Sequence, residues 1–286
     1  MKIAIMSDIH SNYEAFQSCI NETEKREIQH YIFLGDYLGD MAYPQKTLRL
    51  IKELQQKYNC TLIRGNKEEY WICHRQRKEE IWKSGSTETG MLHYNYENIS
   101  EQDIDFFECM PISKTIHYPG YPDFVVCHGS PFKVNQSMRP DYPYIKELTS
   151  KLSTELTICG HFHIQTDYTK NGKRILNPGS IGVPLYSPGK AQFLILNGRN
   201  GLWETEFLSI PYSVEQTIKE MEEEKLPEKA PGWSKITKHL LYTGNVSHAS
   251  VFKKAAELYY QDSGIQVKKG IPEKYWELAI SELLSQ

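Results

Sequence analysis

The stretch "KIAIMSDIHSN", residues 2–12, decides the fold. A short apolar run begins at once and ends in Ser7, Asp8, Ile9 and His10. Such a run, with no polar alternation, reads as a strand covered on both faces. Its polar end carries residue types that bind metals and phosphates. Downstream, "NYEAFQSCINETEKRE" sets Tyr13, Phe16, Ile20 and Thr23 near helical spacing. "HYIFLG" is a second apolar run, "PQKTLRLIKELQQKY" a second helix with Pro44 in its first turn, and "CTLIRG" a third strand. The order strand, helix, strand, helix, strand within the first 65 residues is that of a layered α/β fold.

Further along, residues 68–110 read as mostly helical, with a loop near Gly85 and Gly90. Strands are expected around 113–118, in "DFVVCH" and "ELTICGH", near 164–169 and 173–177, and in "AQFLILN" and "GLWETEFLSI". The short turns "KNGKR" and "NGRNG" point to antiparallel pairing in the last four. After Pro211 strand signals stop. Phe252, Ala255, Ala256 and Tyr259, and then Trp276, Ala279, Ile280 and Leu283, repeat at helical spacing. Residues 213–286 therefore read as a helical appendage or cap on a domain of residues 1–212.

Composition narrows the class. Apolar residues are 40%, charged residues 24% and the net charge is −3, as in an ordinary globular protein and without the basic excess of a nucleic-acid binder. The six cysteines contain no CxxC pair, no opening stretch reads as a signal peptide, and no apolar run has bilayer length. Together these predict a cytoplasmic protein with free thiols and no membrane partner.

Five apolar runs each deliver ligand-type residues at their C-terminal ends. They give Asp8 and His10, Asp36, Asn66, His128, and His161 with His163. In an open α/β sheet that edge is where ligands bind. Two aspartates, one asparagine and four histidines offer oxygen and neutral nitrogen donors, with no thiolate cluster for a structural zinc site. Seven ligands exceed the need of one ion and suit two, about 3.5–4 Å apart. Mixed O/N donors favour manganese, iron or zinc over magnesium or calcium. Asp40 reads better as a turn or helix-start carboxylate than as a ligand. His74, His93, His117, His239 and His248 read as loop or surface residues.

DxH at 8–10, GDxxGD at 35–40, GN at 65–66, a histidine before Gly129 and Ser130, and GHxH at 160–163 stand in that order. They resemble the calcineurin-like metallophosphoesterase superfamily. "NPGSIGVP", residues 177–184, matches a motif that follows GHxH in its small bacterial branch. "SDIHSNYEAF" is similar to the start of the bacterial phosphodiesterase and diadenosine-tetraphosphatase-like members, with Ser11 where glycine is usual. The resemblance covers residues 1–210 and implies a β-sheet sandwich flanked by helices. It further implies one ion held by Asp8, His10 and His163, another by Asn66, His128 and His161, and Asp36 bridging them. Phe162 would space the paired histidines as in a strand, where alternate residues face one way. A hydroxide between the ions would then attack phosphorus.

One position departs from the superfamily's GNH[DE] pattern: Lys67 follows Asn66, with Glu68 next. A histidine there serves the leaving group; lysine, with a pKa of around 10, is a poor proton donor. The expected substrates are therefore small molecules whose leaving groups depart as stable anions: phosphodiesters and nucleotide phosphoanhydrides, including dinucleoside polyphosphates such as diadenosine tetraphosphate. Asn12 and Lys67 are expected to touch phosphate and Glu68 to orient its neighbours. The alternatives are a phosphomonoesterase, a nuclease of the same superfamily, and a non-catalytic metal-binding scaffold.

Overall fold

The computed structural model describes residues 1–77 and 81–285. Its elements run β1 (Lys2–Met6), α1 (Tyr13–Lys25), β2 (His30–Phe33), α2 (Pro44–Lys57), β3 (Asn59–Leu62), α3 (Asn66–Arg77), α4 (Gly90–Glu97), α5 (Glu101–Glu108), β4 (Ser113–Ile116) and β5 (Phe124–Cys127). They continue with α6 (Ile145–Ser150), β6 (Leu156–Cys159), β7 (Gln165–Lys170), β8 (Lys173–Pro178), β9 (Lys190–Arg199) and β10 (Leu202–Pro211). The chain ends in α7 (Val214–Glu223), α8 (Leu226–Lys229), α9 (Pro231–Thr243), α10 (His248–Ser263) and α11 (Glu273–Leu284).

The strands form two five-stranded sheets, ordered β10-β9-β1-β2-β3 and β4-β5-β6-β8-β7. β1, β2 and β3 are mutually parallel, and so are β5, β6 and β8. The pairs β7–β8 and β9–β10 are antiparallel, as their short turns predict.

Side-chain alternation explains the unbroken apolar runs. Ile3 and Ile5 of β1 join Ile32, Phe124, Val126, Ile158 and Leu194 in a core between the sheets. Ala4 and Met6 point the other way, into a core with Phe16, Cys19 and Ile20 of α1 and Leu48 and Ile51 of α2. The outer face of the second sheet buries Cys127, Cys159 and Ile175 under Ile145 and Leu148 of α6, a short helix that sequence periodicity did not predict.

The helices after Pro211 take part in two cores, one shared with the sheet-bearing part and one of their own. Val214, Met221, Leu226, Leu240 and Leu241 pack with Met41, Ala42, Met91 and Val183 of the sheet-bearing part. Val251, Ala255, Trp276, Ala279 and Ile280 form a separate core of α10 and α11 with Ile236. Among the described residues no helix is long and apolar enough to cross a membrane.

Candidate metal centre

Both sheets turn the C-terminal ends of their parallel strands to one place. Asp8 and His10 follow β1, Asp36 follows β2, Asn66 opens α3 after β3, His128 follows β5, and His161 and His163 follow β6. The loop after β1 is locked to the loop after β2 by backbone bonds. The N–H groups of Asp8, His10 and Ser11 donate to the carbonyls of Gly35, Asp36 and Tyr37 at 3.1, 3.0 and 3.0 Å.

These loops are tight. Asp8, His10, Asp36, His161 and His163 all have left-handed backbones, with φ of 55°, 52°, 53°, 74° and 57°. Asp and His tolerate that region better than bulkier residues, and such strain persists only where surrounding contacts enforce it. The positive φ also corrects one expectation. β6 ends at Cys159, so His161 and His163 sit in a turn, not on alternating strand positions.

The side chains pair off within the site. His163 Nε2 lies 3.1 Å from Asp8 Oδ1, and its ring meets the His10 ring edge-on, with centroids 5.1 Å apart. His10 Nε2 is 3.8 Å from Asp8 Oδ1 and 3.7 Å from Asp36 Oδ2. His128 Nε2 is 3.5 Å from Asp36 Oδ1 and 3.0 Å from Asn66 Oδ1, and the His128 and His161 rings are 5.2 Å apart. Ligand atoms of Asp8, His10 and His163 form one compact group, and those of Asp8, Asp36 and His128 another. His161 also donates its backbone N–H to Asp8 Oδ2 at 3.0 Å.

The chemistry of this donor set fits cations. His128 Nδ1 meets the Leu34 carbonyl at 2.8 Å, so it carries the proton. A neutral ring then turns the Nε2 lone pair toward the oxygens of Asn66 and Asp36, which also carry lone pairs. His10 Nε2 is buried without a hydrogen-bond partner. Acceptors facing acceptors in a buried site call for a positive charge.

In the metal-free chain His10 and His128 supply that charge. Burial works against it at His10, but Asp40 and Asp8 prevail and push its pKa up to about 10. His128 is likewise held above its ordinary value by Asp36 and Asp8 despite burial. Burial raises Asp8 less than His163 and His128 lower it, so it stays well below the carboxylate range. His161, desolvated and next to His128, is pushed down to about 4.

Glu68 is buried and bridges loops. Its Oε2 accepts the N–H groups of Asp36 and Gly65 at 2.9 and 2.8 Å, and its Oε1 that of Tyr37 at 2.9 Å. Burial and Asp36 push its pKa up to about 7. The Lys67 N–H donates to Asp36 Oδ1 at 2.8 Å, and its Nζ stands in the cleft 3.4 Å from Asp40 Oδ1.

Three expectations need correction. Asn12 is fully buried: it accepts from Ala15 as the α1 cap and donates to the Gly182 carbonyl and Tyr212 hydroxyl, so its amide is turned away from phosphate. Asp40 is no helix cap: it lies in the bend before α2, whose N-cap position is Tyr43, and its Oδ2 lies 3.0 Å from His10 Nδ1. His248 is no surface residue. It stacks on Trp233 with centroids 4.2 Å apart and lines the cleft. No sequence signal tied it to the site, because it lies 238 positions beyond His10. The "NPGSIGVP" segment buttresses the Asp8 loop: Ile181 and Gly182 donate N–H groups to the Ser7 and Asp8 carbonyls at 3.0 and 2.9 Å.

The centre opens on a cleft of about 560 Å³, whose walls include Lys67, Arg139, Phe162, Trp233, His248 and Phe252. That is the size of small-molecule sites, roughly 300–1,000 Å³.

Known proteins resemble this chain in sequence or in fold. An uncharacterized protein of Methanocaldococcus jannaschii, MJ0912, is 24% identical over 243 residues, spanning 79% of this chain and 94% of its own length. The crystal structure of hypothetical protein PH1004 from Pyrococcus horikoshii superposes with a TM-score of 0.71 and 22% identity over 86% of this chain and 99% of that one. A metallophosphoesterase from Sphaerobacter thermophilus gives 0.64 and 19% identity over 80% of this chain and 97% of its own. The calcineurin-like phosphoesterase superfamily domain matches residues 1–201. With that match over most of its length, the chain belongs to the calcineurin-like phosphoesterase superfamily and is a hydrolase acting on phosphate esters.

Proposed function

We propose that the protein is a two-metal phosphoesterase hydrolysing phosphodiesters or nucleotide phosphoanhydrides, dinucleoside polyphosphates among them. The observation that carries this is the pair of ligand groups, Asp8–His10–His163 and Asp36–His128 with Asn66 and His161, opening on one cleft beside Lys67. Asp36 stands between the groups, 3.7 Å from His10 and 3.5 Å from His128, as a bridging carboxylate would. Manganese, iron or zinc would suit these donors. Ions held there supply Lewis acidity and an activated water nucleophile.

The chain's own residues do the rest. Lys67 presents a positive charge to phosphate at the mouth of the site. Burial works against that charge, but Asp40 and Asp36 hold its pKa above the usual lysine value, so it stabilises charge and gives up no proton. Leaving groups must then depart as stable anions, which favours aryl diesters and anhydrides over alkyl monoesters. The helices after residue 212 act as a cap: Trp233, His248 and Phe252 form an aromatic wall on which a base can stack and which excludes water.

The experiment is a hydrolysis panel with manganese supplied: aryl phosphodiesters, dinucleoside polyphosphates, cyclic nucleotides, oligonucleotides and alkyl phosphomonoesters. Alkyl monoesters turned over as fast as activated diesters and anhydrides would refute the leaving-group argument, and absence of metal uptake would refute the two-metal reading.

A further inference from the structure

Asp40 is a carboxylate with only 2% of its surface exposed, yet four groups from three parts of the chain converge on it. His10 Nδ1 lies 3.0 Å away and Lys67 Nζ 3.4 Å. The Trp233 indole N–H donates to its Oδ1 at 2.9 Å, and His248 Nδ1 is 4.0 Å from its Oδ2. His10 belongs to the loop after β1 and Lys67 to the first turn of α3, beside Asn66. The last two come from α9 and the start of α10.

The Trp233 ring is itself held in place. One face stacks on His248 at 19°, and Lys67 Nζ sits 5.3 Å from its centroid. His248 is pinned in turn. The Thr237 hydroxyl spends its one proton on the Trp233 carbonyl at 2.9 Å, so it accepts from His248 Nε2 at 2.9 Å. The indole therefore meets Asp40 in an orientation fixed by its own helix and the next.

We infer that Trp233 is a positioning residue of the metal centre: its indole N–H orients Asp40, and Asp40 orients His10 as a ligand. This deepens the proposed function and rests on its assignment of Asp8, His10 and His163 to one ion. A ligating histidine takes its ring orientation and basicity from the group that its other nitrogen meets. For His10 that group is Asp40, and Asp40 is steered by a residue 193 positions downstream. The C-terminal helices then set the metal affinity of the centre as well as walling its cleft.

The test is calorimetric titration of the metal-free full-length protein with Mn²⁺, comparing wild type, Trp233→Phe, Asp40→Asn and the double variant. Phenylalanine keeps an aromatic face for His248 and removes the N–H donor together with the second ring. Trp233→Phe is expected to weaken one of the two sites about tenfold and Asp40→Asn up to ~100-fold. The double variant should bind no more weakly than Asp40→Asn alone, because Trp233 acts through Asp40. A merely structural role for the indole would instead give losses that add. His248→Leu, which removes the stacking partner but keeps the indole, should show a smaller loss in the same site, again absent in the Asp40→Asn background. That keeps the inference testable if Trp233→Phe folds poorly. Wild-type affinity in both variants, or additive losses, overturns the inference while leaving the metal reading standing. Wild-type protein that takes up no Mn²⁺ overturns both.

Discussion

The Glu68 carboxylate accepts the backbone N–H of Asp36 through Oε2 at 2.9 Å. It thereby holds the residue placed between the two ligand groups, and its other bonds hold Gly65 and Tyr37. Glutamine at this position offers one acceptor oxygen, so at least one of three buried N–H groups loses its partner. We expect Glu68→Gln to cost about 1–3 kcal/mol of stability in the metal-free protein. Mn²⁺ affinity should fall roughly 10–100-fold. Urea unfolding and metal titration check this; unchanged values in both would show that the clamp is dispensable.

Gly65 is pressed against the same aspartate. A Cβ there would lie 2.3 Å from Asp36 Oδ1 and 2.4 Å from its backbone nitrogen. One of the two loops must therefore move in Gly65→Ala. The expected stability loss is about 1–3 kcal/mol. Misplacing a reacting group by ~1 Å can cost 10²-fold in rate, so hydrolysis should fall by up to about that factor. A variant with wild-type turnover on the best substrate of the panel would contradict this geometry.

Ser180 supports the strained Asp8 turn from behind. Its hydroxyl donates to the Asp8 carbonyl at 2.8 Å and accepts the Val183 N–H at 2.9 Å, with both partners buried. Ser180→Ala orphans the Val183 amide and leaves the Asp8 carbonyl with the Gly182 N–H as its remaining donor, for an expected loss of about 1–3 kcal/mol. Calorimetric melting in EDTA isolates this from metal binding. An unchanged melting temperature would mean that the other bonds to Ser7 and Asp8 suffice.

Asp103, which does not line the cleft, makes a pH-dependent contribution of its own. It caps α5 through Ser100 and accepts from Lys52 at 2.7 Å and Gln45 at 2.9 Å. Burial raises its pKa, but Lys52, Gln45 and Ser100 prevail and bring it down to about 2 from an ordinary 3.8. A carboxyl depressed by folding stabilises the protein above its unfolded pKa and loses that contribution as pH falls through its folded one. Asp103→Asn should thus be less stable than wild type by about 1–2 kcal/mol near pH 6, with the gap narrowing between pH 4 and pH 2. Urea midpoints of both proteins across that range decide it; a gap independent of pH would assign the loss to capping alone.

Much of the site was readable because of how strands are buried. A run such as "IAIM" must be covered on both faces, so the polar residues that end it are forced to the sheet edge, where Asp8 and His10 stand. The same reasoning reached Asp36, Asn66, His128, His161 and His163. It failed for Asn12, whose amide serves equally as cap or phosphate contact until its partners are known. It also failed for α6, six residues long and without a side-chain cap to mark its start.

From its sequence alone, then, the chain specified which strands form, which residue types arrive at their ends, and the superfamily to which that order belongs. Periodicity and motif order carry this, because they depend on neighbours along the chain. Tertiary structure alone decided which atoms meet. The left-handed turns at Asp8, His10, Asp36, His161 and His163 bring those side chains to one site, and Trp233 and His248 reach Asp40 across some 200 residues of chain. Left-handed backbone and contacts between distant segments are enforced by packing, and packing leaves no period in the sequence to read.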